Sequence, residues 1–431
     1  MYEAVKIALD PTPRQEEKLW QHAGTSRFAF NACLEHVKEE WDKGNTVNTS
    51  QAGLRRWFNS AKEEIAPWWR ECSKEAFSHG TECLSKAIGN YFDSRSGKRK
   101  GPETGFPERK KRNKSRKSFA YTTGSFGVKE GDPYRLKLPK IGEIHTFENV
   151  ARRMKDVTKV TRMTVSLEGG RWYASLCVER PFFKRGQEGN GAVGIDLGVK
   201  TAMTCSDGTV YENEKPMKRS ARKIRKLNKK LARQKKGSKR RSETILKLQK
   251  AYGRIACQRR DFQQKATTEL VKKYDTICLE DLNVSGMSKN HRLAGAVLDV
   301  GFYEIRRQIE YKAMKYGKTV SVIGRFYPSS KLCSACGSVK SNLKLSDRTY
   351  VCGHCGLEID RDLNAAINIK AAGSAPEALN GRGESARPEK SSNSVISEAA
   401  SVKRQSGSAA VPVKPEAAAG NGGMQAAVNI L

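Results

Sequence analysis

No stretch of this 431-residue chain approaches the ~18 consecutive apolar residues of a membrane span. Its amino end shows neither a signal-peptide pattern nor a lipidation motif. A membrane role is set aside, and the expected compartment is a reducing cytoplasm. Acidic residues are scarce beside basic ones, 46 against 80, which leaves a net charge of +34. Such a field attracts polyanions and opposes folding unless it is compensated, so the natural partner is nucleic acid. Ribosomal and histone-like proteins are as basic, but they seldom carry 6 Trp and a metal-ready carboxylate set. The scarcity is local as well: Lys215 to Arg241 holds 15 basic residues in 27 and no acidic one. From Gly373 to Leu431 aromatic residues are missing altogether, and Ala, Gly, Ser, Pro and Glu dominate, the composition of a disordered tail.

What is present is a cysteine framework. Cys333-x2-Cys336, a spacer of 15 residues and Cys352-x2-Cys355 form two knuckles, each followed by Gly (Gly337, Gly356). Four thiolates at this spacing suit tetrahedral Zn2+. Disulfides are the alternative, but the other 7 Cys are scattered, as in a reducing compartment. With every position filled by sulfur, the zinc is expected to be structural. Just past the second knuckle, Asp362 opens an apolar run (Leu363, Ala366, Ile367, Ile369) that reads as a short helix.

At 431 residues the chain can bury two or three modest cores. Met1 to Leu9 reads as a strand, and Thr12 as the N-cap of a helix with Pro13 in its first turn. Further helices are expected over Gln51 to Ala61 and Glu71 to Tyr91, with Trp57, Trp68 and Trp69 in their core. Ser94 to Arg116 is a basic loop, and Lys98, Arg99, Lys100, Arg109, Lys110 and Lys111 are its candidate phosphate contacts. Strands return at Phe119–Tyr121, Tyr134–Leu138, Thr158–Leu167 and Trp172–Glu179, with a hairpin at Glu168-Gly169-Gly170. They suggest a small β-barrel, begun by Met1 to Leu9 and interrupted by the helices. Lys184 to Asn190 reads as a linker. After it, Ala192 to Val199 reads as a buried strand, and Ala202 to Tyr211 as a hairpin. Two helical arms then pack around Gly237-Ser238, the first offering Arg222, Lys226, Lys229, Lys230 and Arg233 to a nucleic-acid backbone. Thr276 to Leu282 is a second apolar strand, Leu298 to Met314 one amphipathic helix, and Thr319 to Val322 a last strand.

Asp196, Glu280 and Asp362 thus fall on a strand, a strand and a helix start within an α/β stretch, the order of an RNase H-like core. Three carboxylates close together repel by about 4 kcal/mol per pair at 4 Å and intermediate dielectric, so such a cluster implies cations. Oxygen-only ligation selects Mg2+ or Mn2+, and two such ions would support phosphodiester hydrolysis. Asp196 is the expected bridging ligand. Asp281 and Asp360 are the neighbours with which Glu280 and Asp362 could be confused.

These residues carry a resemblance. Gly194-Ile195-Asp196-Leu197-Gly198, Leu279-Glu280-Asp281-Leu282, Tyr327-Pro328-Ser329-Ser330 before the four Cys, and Asp362-Leu363-Asn364-Ala365-Ala366 resemble TnpB. That family comprises RNA-guided nucleases encoded by bacterial insertion sequences and is ancestral to the type V CRISPR effectors. Pro11-Thr12-Pro13-x-Gln15, Arg27 to Asn31 and Arg259-Arg260-Asp261-Phe262 are similar to it as well, so the match covers residues 1 to 370. The resemblance implies an α+β multidomain protein. A wedge β-barrel (1–9 and 118–183) would grip a guide RNA and carry a helical recognition lobe (10–117). A RuvC-like nuclease domain (191–326 and 359–372) would hold a zinc-binding insertion (327–358), with the tail at 373–431. It further implies a Mg2+-dependent endodeoxyribonuclease that cuts both strands of guide-matched DNA; the oligomeric state is left open, with a monomer favoured. Alternatives are a guide-dependent DNA-binding repressor and a DDE-like transposase. In the family the guide overlaps the 3' end of the gene, so the tail's composition is expected to reflect constraint on the RNA.

Overall fold

Val5, Ile7 and Leu9 alternate along β1 (Tyr2–Asp10) and enter one core, as a period of two dictates. The computed structural model describes residues 2–122, 124, 126–129, 131–181, 189–344 and 346–375. After β1 the chain leaves the sheet for α1 (Pro13–Asp42), α2 (Gln51–Ile65) and α3 (Lys74–Arg95). Thr12 caps α1 as expected: its side chain accepts from the Gln15 N–H, and Gln15 accepts in return from the Thr12 N–H. Phe30, Leu34, Phe58, Phe77 and Leu84 fill the helical core, and Trp57, Trp68 and Trp69 pack against it. These tryptophans are packing residues.

The sheet resumes with β2 (Ser118–Thr122), β3 (Gly127–Lys129), β4 (Asp132–Leu138) and β5 (Gly142–Thr146). After one turn of helix, α4 (Val150–Arg153), it ends with β6 (Lys159–Glu168) and β7 (Arg171–Glu179). The seven strands run in the order β2-β6-β7-β1-β5-β4-β3, so β1 sits in the middle of strands that follow it by over a hundred residues. Elements β3, α4 and β5 are absent from the sequence reading because three to five residues are too few to show a period. The hairpin between β6 and β7 turns on Gly169 (φ 57°) and Gly170 (φ 79°), the two positive φ values a tight type I′ turn requires. Strands β2 and β3 end the order, and no pairing between them occurs among the described residues.

The second sheet contains β8 (Ala192–Asp196), β9 (Thr201–Cys205), β10 (Val210–Glu212), β11 (Thr276–Glu280) and β12 (Thr319–Ile323). Its order is β10-β9-β8-β11-β12, with β8, β11 and β12 parallel. Between β10 and β11 lie α5 (Pro216–Ala232) and α6 (Lys239–Lys273), the expected helical hairpin. After β11 come α7 (Val284–Lys289), α8 (Ala294–Val300) and α9 (Phe302–Tyr316). The single helix expected from Leu298 to Met314 is therefore two. Gly301 stands between them with φ 75°, and the buried Gln263 amide donates to the Val300 carbonyl at 2.8 Å, satisfying the broken end.

Beyond β12 the chain builds a small two-stranded ribbon from β13 (Thr349–Val351) and β14 (Glu358–Asp360), and α10 (Arg361–Gly373) follows. Val193, Ile195, Ile277 and Leu279 face α6 and α9 through Leu270, Val271, Ile305 and Ile309. On the opposite face α10 crosses the sheet. A Cβ on Gly194 would stand 2.1 Å from the Ala366 carbonyl oxygen, and one on Gly373 would stand 2.7 Å from the Cys278 sulfur. Gly373 thus belongs to α10, which corrects the start of the tail. The disorder expected from 376 onward, and most of the linker expected at Lys184 to Asn190, fall outside the described residues.

Candidate functional site

Asp196 and Glu280 end neighbouring parallel strands. Ile195 pairs with Leu279, so the two carboxylates follow side by side at the same edge of the sheet. Both lie on the face that α10 crosses, because Gly194 and Cys278, two residues earlier on each strand, contact that helix or its end. Asp362 stands in the first turn of α10. Burial and then the charges of Asp362 and Glu280 push the Asp196 carboxyl up to about 7, with Arg361 opposing. Glu280 is also raised, by burial and by Asp281.

The near neighbours are committed elsewhere. Asp281 accepts from Arg306 Nη1 at 2.8 Å and Arg325 Nη2 at 2.5 Å, which holds its carboxyl below the usual range. Asp360 is the N-cap of α10 and accepts from the backbone N–H of Asp362 and Leu363. The Glu280 and Asp196 side chains make no hydrogen bond or ion pair among the described residues, and the Asp362 side chain has only loose ion pairs there, with Arg361 at 3.6 Å and Arg348 at 4.0 Å. Asp196 and Glu280 thus carry unpaired side-chain oxygens and Asp362 only weakly paired ones, but the three carboxylates do not bring an oxygen each within 4.8 Å of one another as the cysteine sulfurs do.

The four cysteines are closer still. Among the described residues only Cys333, Cys336, Cys352 and Cys355 bring one ligand atom each within 4.8 Å of one another. The Cys333–Cys355 and Cys336–Cys352 sulfur separations are both 3.6 Å. A disulfide would require about 2.05 Å, whereas a zinc tetrahedron with 2.3 Å bonds has edges of roughly 3.8 Å. The backbone N–H groups of Cys355 and His354 donate to the Cys352 sulfur, and with Ser338 they hold its thiol down at about 5. Gly337 and Gly356 take the positive φ that lets each knuckle turn.

Two buried amides couple this cluster to α10. The Asn364 side chain donates to the Leu332 carbonyl at 2.7 Å and accepts from the Ser334 N–H at 3.0 Å. Asn368 donates to the carbonyls of Ser329 and Leu332 at 2.8 and 2.7 Å. The sequence reading assigned no role to either residue. Their only signal is spacing, since positions four apart share a helix face.

The basic candidates divide. Lys226, Lys229 and Lys230 of α5 and its C-cap Arg233 line a groove of about 630 Å3 with Arg240 and Lys247 of α6, and Arg222 lies exposed further back on α5. Lys98, Arg99, Lys100 and Lys111 are exposed, and Arg109 pairs with Glu35. Lys110 differs from its neighbours in being half-buried. Its backbone is held at both ends by Asn31, and its ammonium sits 3.7 Å over the Phe30 ring.

Residues 175–291 match the OrfB_IS605 family model, described as "Probable transposase", and residues 302–369 match "Cas12f1-like, TNB domain". Residues 1–46 match "Helix-turn-helix domain", although in this fold they form β1 and the start-to-end run of the single helix α1. A "Putative RNA-guided DNA endonuclease" of Streptomyces pristinaespiralis is 33% identical over 95% of this chain and 98% of its own length. The "Putative RNA-guided DNA endonuclease InsQ" of Escherichia coli K12 is 30% identical, over 90% and 96% respectively. A cryo-EM structure of a Cas12f1–sgRNA–target DNA complex aligns over 86% of this chain and 98% of its own, at 15% identity and a TM-score of 0.43.

Proposed function

The chain belongs to the TnpB family, the OrfB proteins of IS605-type elements, and from that premise we propose that it is an RNA-guided, Mg2+-dependent DNA endonuclease. The observation that carries the reading is the acidic edge, where Asp196 and Glu280 end neighbouring parallel strands and Asp362 stands in the first turn of the helix that crosses them. In this reading the five-stranded sheet is a RuvC-like catalytic core, and Asp196, Glu280 and Asp362 hold the divalent ions. When bound, such ions activate water and stabilise the leaving oxygen of a phosphodiester. The chain's own part is to fix the carboxylates and to keep competing partners off Asp196 and Glu280. Asp281 and Asp360 serve that end by occupying Arg306, Arg325 and the α10 terminus.

The seven-stranded sheet with its helical lobe is the proposed holder of guide RNA and target duplex, as wedge (1–9 and 118–183) and recognition lobe (10–117). The groove of Lys226, Lys229, Lys230 and Arg233 would follow a phosphate backbone. Sequence specificity would come from base pairing. The test is cutting of duplex DNA at the guide-matched site, with Mg2+ and guide RNA present. A protein that binds that site and leaves it intact would be a repressor, and strand-transfer products without RNA would indicate a transposase.

The cysteine cluster fits structural zinc, with the sulfurs already spaced for it. Cys352→Ser is expected to reduce zinc from one ion per chain to nearly none, to lower the melting temperature and to slow cutting by 10- to 100-fold, roughly the effect of disturbing a metal's supporting shell. Metal analysis beside a cleavage assay reads both. Truncation after Ala375, with guide RNA supplied separately, should leave cutting intact. A truncated protein that folds, binds guide and no longer cuts would show that the tail acts as protein.

A further inference from the structure

Phe326 is the most exposed large apolar side chain among the described residues, at 94%. Its backbone is nevertheless firmly held. Gly324 to Tyr327 form a turn closed by the Tyr327 N–H on the Gly324 carbonyl at 3.0 Å. On one side Arg325 is bound to the Asp281 carbonyl (3.2 Å) and carboxylate (2.5 Å). On the other side Tyr327 packs with Cys278, Ile323 and Ile369.

The turn leaves the sheet at the acidic edge. Ile323, the last residue of β12, is the register partner of Glu280, and Phe326 follows three residues later. Strand spacing and chain reach keep it within ~15 Å of Glu280. Around it Arg325, Pro328 and Lys331 are exposed, so the ring stands alone and does not belong to an apolar patch of the size that a protein partner or a second copy would need.

We propose that Phe326 stacks on a nucleobase of the DNA strand entering the acidic edge and positions that strand for cutting, an inference that rests on the nuclease reading above. Every base has a π-face, so an aromatic platform holds a strand without regard to sequence, as an enzyme addressed by its guide requires. A fixed backbone under the ring also limits the entropy lost when the base docks.

The experiment uses the full chain loaded with guide RNA and a single-stranded target oligonucleotide. Phe326→Ala should raise KM about tenfold with a smaller change in kcat, and Phe326→Trp should restore it. Removing one base from the substrate near the cut should cost the parent protein a similar factor and the alanine variant little. The same substitutions in an Asp196→Asn background should show the loss as weaker binding, without cutting. An unchanged KM for Phe326→Ala, or a parent protein indifferent to abasic positions, would overturn the assignment. A parent protein that cuts no DNA with guide and Mg2+ would overturn the nuclease reading itself, a result visible before any substitution is made.

Discussion

Asp196→Asn is expected to lower DNA cutting by at least about a thousandfold, the several kcal/mol that metal-ion catalysis supplies, while guide-RNA binding persists. It should also make the protein harder to melt when no divalent ion is present. In the fold, burial and the neighbouring carboxylates push the Asp196 carboxyl up to about 7 from the usual aspartate value of about 4. Between those two values the folded chain keeps a proton that the unfolded chain has released. The metal-free protein therefore loses stability as pH rises from about 4 to about 7, and the whole cost, on the order of 4 kcal/mol, is present above that. Asparagine cannot ionise, so the variant escapes it. Melting at pH 8 without Mg2+ should show the variant several degrees above the parent, with the gap narrowing toward pH 5. Added Mg2+ should stabilise the parent alone. Equal melting at pH 8 together with undiminished cutting would remove Asp196 from the centre of the site.

Gly194→Val tests the other half of the arrangement, the seating of α10. A Cβ at this position would lie 2.1 Å from the Ala366 oxygen and 2.4 Å from the Lys370 nitrogen, both backbone atoms of the crossing helix. Backbone cannot swing aside as a flexible side chain does, so the helix must lift or slide and take Asp362 with it. The expected cost is about 1–3 kcal/mol of stability, the range of overpacked cores. Cutting should fall at least a hundredfold, because a small displacement of one reacting group is costly in a positioned site. Gly295→Ala, where nothing lies within 4 Å of the added carbon, is the control and should leave both melting and cutting unchanged. A Gly194→Val protein that cuts like the parent would mean that α10 does not set the position of Asp362.

The cysteine pairs, the two strand-end carboxylates and the amphipathic arms were legible in the sequence because each is a local pattern. Ligand spacing, a period of two and a period near 3.6 all act over a few residues. The helical hairpin, the cap at Thr12 and the turn at Gly169-Gly170 follow for the same reason. What needed the fold was every choice made by a residue distant in sequence. Gln263 ends α8 at Gly301 from 37 residues away, and β5 exists because β1 and β4 pair with it. Lys110 was hidden in a basic run that looks uniform until Asn31 and Phe30 draw it inward.

The acidic site divides along the same line. Composition and order pointed to Asp196, Glu280 and Asp362, with Asp281 and Asp360 as neighbours close enough to be confused with the last two. Tertiary structure adds what the neighbours do: Asp281 is tied to two arginines and Asp360 to a helix terminus. A sequence states which groups carry charge. Which of those charges remains unpaired depends on neighbours that folding brings from elsewhere in the chain, and an unpaired carboxylate at a shared edge is what a cation requires.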